Sequence, residues 1–233
     1  ANFFEQAVAV DPDYASAHAG LAISYCSLAF YGMNPAVAKA KASAAADRAV
    51  ALAPRVAEVH AALCLYAAWI AYDWETAEKE LKAAVEANPS YALAHIWYGM
   101  TLATLSRHDE AIALATHARE VDPLSPYANT ALGLAHVQAG RRTEALPLLE
   151  ESINIDADFL YTLWVLGSTY GALGRHDEAI AVFERAATLS GQGSYYRSWL
   201  GWAYGIAGRK PEAEKILEEL TAGCPDDDIQ PLM

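Results

Sequence analysis

Three histidines, His18, His60 and His95, occupy equivalent places in successive stretches of similar sequence. Imidazole is a common zinc ligand, so these side chains are the first candidates for a metal site. One ion would need all three ring nitrogens within about 2.1 Å. If the stretches are helical, the histidines form a row with a spacing on the order of 10 Å, which is one helix diameter. The pattern therefore predicts packing residues and no metal site.

Two similar segments, SRHDEA and GRHDEA, each place a histidine before an aspartate, at His108 and Asp109 and again at His176 and Asp177. A histidine oriented by a carboxylate can act as a general base. No nucleophile is repeated beside both pairs, and no glycine-rich phosphate-binding loop is present. Acidic residues also favour helix N-termini, which makes a solvated turn the simpler interpretation. We predict no enzymatic activity and no cofactor.

The cysteines are Cys26, Cys64 and Cys224. They are odd in number and scattered, which gives neither a disulfide framework nor the spacing of a metal site. Free cysteine is common in protein cores, and Cys64 takes a predicted core position. The expected location is the reducing cytoplasm.

The chain has 233 residues and a formal net charge of −13. Without a local run of lysine or arginine, this charge argues against nucleic acid and against an anionic membrane as partners. The longest apolar run, 61–72, is too short to span a bilayer. The acidic residues predict a solvated outer surface, with an acidic docking surface as the alternative.

The stretch 160–192 predicts two short amphipathic helices joined by a turn at Gly174. Neither helix can bury its apolar face alone, so the unit needs neighbouring copies. The copies are visible as small residues that recur every 34 positions. Three series show this period: Gly133, Gly167 and Gly201; Gly140, Gly174 and Gly208; Ala111, Ala145, Ala179 and Ala213.

A 34-residue helix–turn–helix period resembles the tetratricopeptide repeat (TPR) family over nearly the whole chain. The resemblance implies an all-α solenoid, a right-handed superhelix of antiparallel helix pairs with about thirteen helices and no sheet. Residues 1–14 match only the second helix of a repeat, which suggests a fragment of a longer protein. Six fuller units follow, with a tail at 228–233. Their predicted boundaries are 15–56, 57–91, 92–125, 126–159, 160–193 and 194–227.

Three departures from the period carry structural expectations. A surplus between Tyr25 and Ala42 predicts an extended turn, with Pro35 near the start of the next helix. One extra residue in the second unit is expected around the turn at Tyr72. Pro147 falls inside a predicted second helix, where it predicts a kink or a late helix start.

In TPR proteins, the first helix of each repeat lines a concave groove. Glu58 is the only charged residue at the groove-facing positions of this chain. Chaperone-binding TPR proteins place cations there to clamp a carboxylate, so that subclass is disfavoured. The alternative is that a neighbouring helix or a terminal segment covers these positions. The predicted peptide-binding residues are Trp69, Met100, Tyr127, Leu134, Tyr161, Trp164, Tyr195 and Trp202.

The segments AYDWETAEKELKAAVEANPSYALAHIWYG and HAREVDPLSP resemble TPR regions that lie C-terminal to bacterial adenylate-cyclase-type domains and winged-helix regulators. This resemblance implies a scaffold that binds a protein or peptide with apolar anchors, inside a larger bacterial signalling protein. One alternative is self-association, as a homodimer through uncapped ends that expose Phe3 and Phe4. Another is an arm that guides substrate to an enzyme domain outside this chain.

Overall fold

The computed structural model describes residues 1–29 and 33–222, and within them the only regular secondary structure is helical. The predicted all-α solenoid with thirteen α-helices is confirmed for these residues. The expectations for Cys224 and for the tail at 228–233 lie outside them. In chain order the helices are α1 (Asn2–Val10), α2 (Ala15–Leu28), α3 (Pro35–Leu52), α4 (Ala57–Leu65), α5 (Trp74–Ala87), α6 (Ala92–Thr104), α7 (His108–Val121), α8 (Pro126–Gln138), α9 (Arg142–Ile155), α10 (Leu160–Ala172), α11 (His176–Leu189), α12 (Ser194–Ile206) and α13 (Lys210–Ala222).

The chain divides into two compact units, the first spanning Ala1–Pro123 and the second beginning at Leu124. The first unit contains α1 to α7 and the second contains α8 to α13. Within residues 1–29 and 33–222, no helix combines the length and the apolar character needed to cross a bilayer.

Small residues set the distance between the paired helices in the second unit. A Cβ at Gly133 of α8 would lie 2.6 Å from Cδ2 of Leu149 on α9. A Cβ at Gly167 of α10 would lie 2.8 Å from Cε2 of Phe183 on α11. Both contacts are shorter than carbon atoms tolerate, so only glycine permits this approach. The 34-residue glycine series is therefore a series of helix–helix contacts.

In the first unit, alanines and one glycine set the distance between the paired helices. Ala22 of α2 and Ala42 of α3 are fully buried. Where α6 meets α7, a Cβ at Gly99 would lie 3.0 Å from the carbonyl oxygen of Ala111. These small side chains bring two helix backbones close together, and the larger apolar residues beside them fill the remaining space.

The extended turn after α2 ends where the sequence predicts. Pro35 is the first residue of α3, where its missing N–H costs nothing. Asn34 caps the helix, since its side-chain oxygen accepts hydrogen bonds from the N–H groups of Ala36 and Val37. Residues 30–32 of this turn lie outside the described part of the chain.

The extra residue of the second unit is accommodated inside a helix. α4 continues directly into a π-helical segment, Tyr66–Ala71. The wider turn of a π-helix holds one more residue than an α-turn. The segment ends at Tyr72, which has a left-handed backbone with φ of 56°. The extra residue is therefore accommodated just before Tyr72. The sequence predicts it around the turn at Tyr72.

Pro147 lies within α9, which begins at Arg142, more than one turn earlier. The expected late helix start is therefore wrong. α9 contains the proline at the cost of one backbone hydrogen bond. The buried residues Ala145 and Leu149 on either side of it pack into the core of the second unit, and this packing holds the helix together.

Candidate functional site

The three histidines of the row bind three different acceptors. His18 and His95 each place Nε2 beside the carbonyl oxygen of the proline that closes the preceding repeat, at 2.9 Å from Pro12 and 2.8 Å from Pro89. His60 instead places Nδ1 at 2.7 Å from a carboxylate oxygen of Glu80. Across the described residues, no group of three or more histidine, cysteine or acidic side chains is arranged to hold a metal ion.

His95 is buried, and its Nδ1 finds no hydrogen-bond acceptor among the described residues. Burial lowers the pKa of this imidazole, and the neighbouring His117 ring, 4.4 Å away between centroids, lowers it further. The Pro89 carbonyl acts in the opposite direction. Protonation would place a second N–H at a site without an acceptor, so the folded chain favours the neutral ring.

We therefore expect acid to destabilise the first unit. Because the pKa of folded His95 lies below its unfolded value of about 6.5, the unfolded chain binds more protons at mildly acidic pH. Stability is retained above about pH 6.5 and falls as the pH drops below it. Urea denaturation between about pH 8 and pH 5 checks this. His95→Asn should show a shallower loss, and equal slopes would contradict the assignment.

His108 and His176 are the first residues of α7 and α11. The arginine just before each histidine pairs with a glutamate in the first turn of the helix, three residues later. In α11, Arg175 Nε lies 2.9 Å from the Glu178 carboxylate. The same pairing occurs at Arg107 and Glu110 and at Arg209 and Glu212. These contacts account for the HDEA segments as structured helix starts.

Tyrosine–glutamate hydrogen bonds tie successive repeats together, and the sequence interpretation missed them. In each, a tyrosine hydroxyl on a first helix donates to a glutamate twenty residues earlier, on the preceding second helix. Burial and the Glu5 carboxylate raise the pKa of Tyr25 to about 12. The constant separation of twenty residues was the available signal. The pairs are Tyr25 with Glu5, Tyr98 with Glu78, Tyr170 with Glu150 and Tyr204 with Glu184.

The cysteines Cys26 and Cys64 are buried and free. Burial raises the pKa of each thiol to about 12, with a smaller contribution from Glu80 at Cys64. Because the thiolate is the reactive form, both side chains act as small apolar core residues.

Aromatic side chains of α8 and α10 form one end of a continuous cluster in the second unit. Tyr127 and Tyr161 lie 5.5 Å apart between ring centroids and meet edge to face. Tyr161 stacks on Trp164 at 5.7 Å. All three side chains are half-buried. The predicted groove residues of these two helices are therefore brought together.

The cluster continues through Trp199 to α12. Trp164 and Trp199 lie 5.8 Å apart, and Trp199 lies 5.5 Å from Trp202. The ring of Phe183 of α11 stacks on the ring of Trp199, with 5.9 Å between their centroids. Trp199 was not among the predicted site residues because its place in the repeat is a core position, yet it links the two predicted tryptophans. We call the rings of Tyr127, Tyr161, Trp164, Trp199 and Trp202 the aromatic ladder.

Exposure is concentrated at the α12 end of this surface. Tyr195 is 48% exposed and Trp202 is 38% exposed. The indole of Trp202 also covers Gly171, where a Cβ would lie 2.5 Å from Cη2 of the tryptophan. Trp164, in contrast, is half-buried, and its indole N–H is buried with no hydrogen-bond partner in the described part of the chain. Tyr195 and Trp202 are therefore the predicted site residues that a ligand can reach directly.

The remaining predicted groove residues are placed differently. Trp69 and Met100 belong to the first unit, where both are half-buried and Trp69 lies in the π-helical segment. Leu134 packs against the core of the second unit. Thr130, which lies one helical turn before Leu134 on α8, is fully buried.

Thr130 belongs to a buried hydroxyl cluster that joins α8, α9 and α10. Its Oγ1 lies 2.6 Å from Oγ1 of Thr162 and 3.0 Å from Oγ of Ser152. Both Thr130 and Ser152 also donate to the Pro126 carbonyl. All three hydroxyl-bearing side chains are fully buried. Since buried polar groups are costly unless paired, this cluster fixes how the three helices meet.

The two phenylalanines of α1 differ in environment. Phe3 is 85% exposed, but the ring of Phe4 lies against α2, where a Cβ at Gly20 would be 2.4 Å from its Cε1 atom. Phe4 is nevertheless 41% exposed, so part of its ring remains accessible. Val10 lies seven residues after Phe3, on the same face of α1, and is 88% exposed.

Comparison with known proteins gives the family. The family model described as tetratricopeptide repeat matches residues 66–118, 105–158 and 165–228, which together exceed half of the chain. The chain therefore belongs to the tetratricopeptide repeat family and is a TPR-type protein-interaction scaffold. No curated protein matches the sequence at a significant level.

Solved structures share the fold at low sequence identity. The Cut9–Hcn1 hetero-tetramer of APC/C matches with a TM-score of 0.76 and 20% identity, over 94% of this chain and 42% of that one. PilW, a type IV pilus biogenesis factor, matches with a TM-score of 0.70 and 18% identity, over 92% and 95%. YrrB, a TPR protein with an unusual peptide-binding site, matches with a TM-score of 0.51 and 18% identity, over 78% and 93%.

Proposed function

We propose that the second unit binds a protein or peptide segment with apolar, uncharged anchors on the surface formed by Tyr195 and Trp202, and that the chain has no enzymatic activity. The observation that carries this proposal is the exposure of two large aromatic rings on α12, Trp202 at the end of the aromatic ladder and Tyr195 near the start of the helix. Aromatic side chains supply large contact area and dominate binding hot spots.

The rest of the site supports the same class of ligand. The groove-facing positions of α8, α10 and α12 carry no charged residue. Binding then rests on apolar burial and neutral hydrogen bonds, so we expect the affinity to change little between low and moderate salt. The peptide-binding site of YrrB, a TPR protein of similar fold, supports peptide binding as the general role.

The wider context of the proposal is a regulatory or sensing function in a bacterial signalling protein of the cytoplasm. Its support is the resemblance of 71–99 and 117–126 to TPR regions of adenylate-cyclase-type and winged-helix proteins. A catalytic or DNA-binding segment encoded with this chain would support the signalling context. A biosynthetic enzyme domain in that place would favour the substrate-guiding arm instead.

Tyr195→Ala tests the binding surface. Peptides selected from a displayed random library against the chain should bind Tyr195→Ala about tenfold more weakly, or about 1.4 kcal/mol, because a hot-spot ring is lost. The control is Tyr14→Ala in the first unit, since Tyr14 is 51% exposed and Tyr195 is 48% exposed. Calorimetric titration measures both. Equal affinities for the two variants, or release of the peptides by moderate salt, would contradict this site.

A second candidate function is self-association through α1, favoured by the exposed side chains Phe3 and Val10 on one face of that helix. The substitutions Phe3→Ser and Val10→Ser should then lower the molecular mass measured by light scattering at high concentration. Phe4 must stay unchanged because its ring packs on Gly20. The control is Val37→Ser on α3, where the valine is 47% exposed. A mass that is monomeric at every concentration would exclude the dimer.

A further inference from the structure

The contact between α10 and α12 shows how one helix docks on the next in this unit. Trp202 and Ile206 of α12 both lie over Gly171 of α10, with Cη2 of the indole 2.5 Å and Cδ1 of the isoleucine 2.9 Å from its Cβ position. These two residues are four apart and therefore share one face of α12. Gly171 thus forms a slot that an aromatic ring and an aliphatic side chain of the neighbouring helix fill together.

The same slot is present and open on α12. Gly205 lies 34 residues after Gly171, and nothing in the described part of the chain lies within 4 Å of its Cβ position. The residue is exposed, as is the ring of Trp202 about one turn earlier. α12 therefore offers to a further helix the recess that α10 offers to α12.

α13 differs from α11 in the same way as α12 differs from α10. Phe183 of α11 is fully buried, and its ring stacks on Trp199 of α12. Leu217 occupies the corresponding place on α13, 34 residues later, and is 61% exposed. The Cβ position of Gly201 on α12 meets Ile216 instead, at 3.2 Å from its Cγ2 atom. Leu217 is therefore available for contact with a further helix.

One ring joins these two places in the preceding repeat. Trp202 lies on Gly171 and also meets Phe183, with 6.3 Å between the ring centroids. Their counterparts, Gly205 and Leu217, are therefore within reach of one aromatic side chain from a further helix. We call the surface of Gly205 and Leu217 the helix recess.

The surroundings of the helix recess favour an uncharged ligand. The exposed face of α12 beside Gly205 carries no charged residue. On α13, Glu214 lies one turn before Leu217 and pairs with Lys210 at 3.5 Å. Glu218 is exposed, and a single surface charge contributes little to binding. Affinity at this surface therefore rests on apolar contacts.

Resting on the proposed function, we infer that the partner segment is an uncharged amphipathic α-helix that packs beside α12 as α12 packs beside α10. In the α10–α12 contact, Trp164 meets Trp199 in the first half of both helices. Gly171 meets Ile206 near their ends, so a helix docked in the same way runs parallel to α12. Its contact face carries two aromatic residues three apart and an aliphatic residue four further on, the spacing of Trp199, Trp202 and Ile206.

The docked helix makes three contacts. Its second ring and its aliphatic side chain fill the slot at Gly205, and its rings cover Leu217. Its first turn meets Tyr195, as Tyr161 of α10 meets Tyr127 of α8 at 5.5 Å. The helix recess thus names the class of segment that carries the apolar anchors.

The experiment titrates the full chain with two capped peptides of about sixteen residues, built on alanine and glutamine so that they are helical and uncharged. The first carries phenylalanine, phenylalanine and isoleucine at the spacing of Trp199, Trp202 and Ile206. The second has the same composition, with these three residues spread around the helix. Because neither peptide contains tryptophan, the fluorescence of the chain reports binding beside calorimetry. The first peptide should bind at least about tenfold more tightly.

Variants of the helix recess test where the first peptide binds. Gly205→Leu fills the slot within the chain and should weaken the peptide about tenfold. Its melting temperature should equal that of the parent chain or exceed it, because leucine is the better helix former. Leu217→Ser should weaken the peptide about fivefold. The control is Leu124→Ser, another exposed leucine of the second unit, which should leave the affinity unchanged.

The outcomes separate this inference from the proposed function. If the two peptides bind equally, or if Gly205→Leu binds the first peptide as tightly as the parent chain does, the helix assignment is wrong. Weaker binding of library-selected peptides to Tyr195→Ala would then still support the proposed function. If Tyr195→Ala also changes no affinity, both fail. A mass of two chains in light scattering that falls to one in Gly205→Leu would assign the helix recess to a second copy and overturn the partner helix.

Discussion

Gly167→Leu should lower the free energy of unfolding by about 3 kcal/mol, at the upper end of what overpacking costs. A first added carbon at this position already lies 2.8 Å from Cε2 and Cζ of Phe183. Phe183 cannot move away, because it is fully buried and stacked on Trp199. A leucine adds three further carbons to this contact, so α10 and α11 must separate. Urea denaturation monitored by circular dichroism measures the loss.

Gly205→Leu is the matched control for this substitution. Gly205 is also a helical glycine of the second unit, but it is exposed and nothing lies within 4 Å of its Cβ position. Leucine is a better helix former than glycine by roughly 0.5–1 kcal/mol, so this variant should be as stable as the parent chain or slightly more stable. A loss at Gly205 as large as at Gly167 would mean that the effect is not overpacking.

Trp164→Ala should lower the free energy of unfolding by about 3 kcal/mol, at the low end for removal of a large aromatic side chain. The indole connects two parts of the aromatic ladder, with Tyr161 at 5.7 Å and Trp199 at 5.8 Å. Its removal leaves a cavity beside the core of the second unit, against which it packs. The variant should also bind peptide more weakly, because the rings of Tyr161 and Trp199 lose their common neighbour.

Trp164→Phe distinguishes the contribution of the aromatic ring from that of the indole N–H. Phenylalanine keeps an aromatic ring and removes the indole N–H, which is buried without a partner among the described residues. Because an unsatisfied buried donor is itself costly, this variant should lose less than about 1.5 kcal/mol. Thermal and urea unfolding of both variants give the comparison. Equal small losses for Trp164→Ala and Trp164→Phe would show that the ring is not part of the packed cluster.

The helical repeats were predictable because their signal is periodic. Gly133 and Gly167 recur at a fixed interval, and each turns out to be the contact point of a helix pair. The same periodicity identified Tyr127, Tyr161 and Trp164 as neighbours on one surface, since equivalent positions of stacked repeats lie side by side.

The details that the sequence did not predict depend on side-chain orientation and on local backbone geometry. Trp199 occupies a core position of the repeat, but its ring is large enough to extend into the aromatic ladder. Phe4 packs on Gly20 because that glycine leaves room for a ring, a pairing that no periodic pattern specifies.

The π-helical segment Tyr66–Ala71 has a consequence for how this array tolerates changes in length. An inserted residue in a helix ordinarily rotates everything after it by about 100°. Here the wider turn absorbs the insertion before the helix ends, and α5 still presents Ala77, Leu81 and Ala84 to the core. The unit of 35 residues thus stays in phase with the 34-residue unit that follows it. The π-helical segment thus accommodates the extra residue without changing which face of α5 packs into the core.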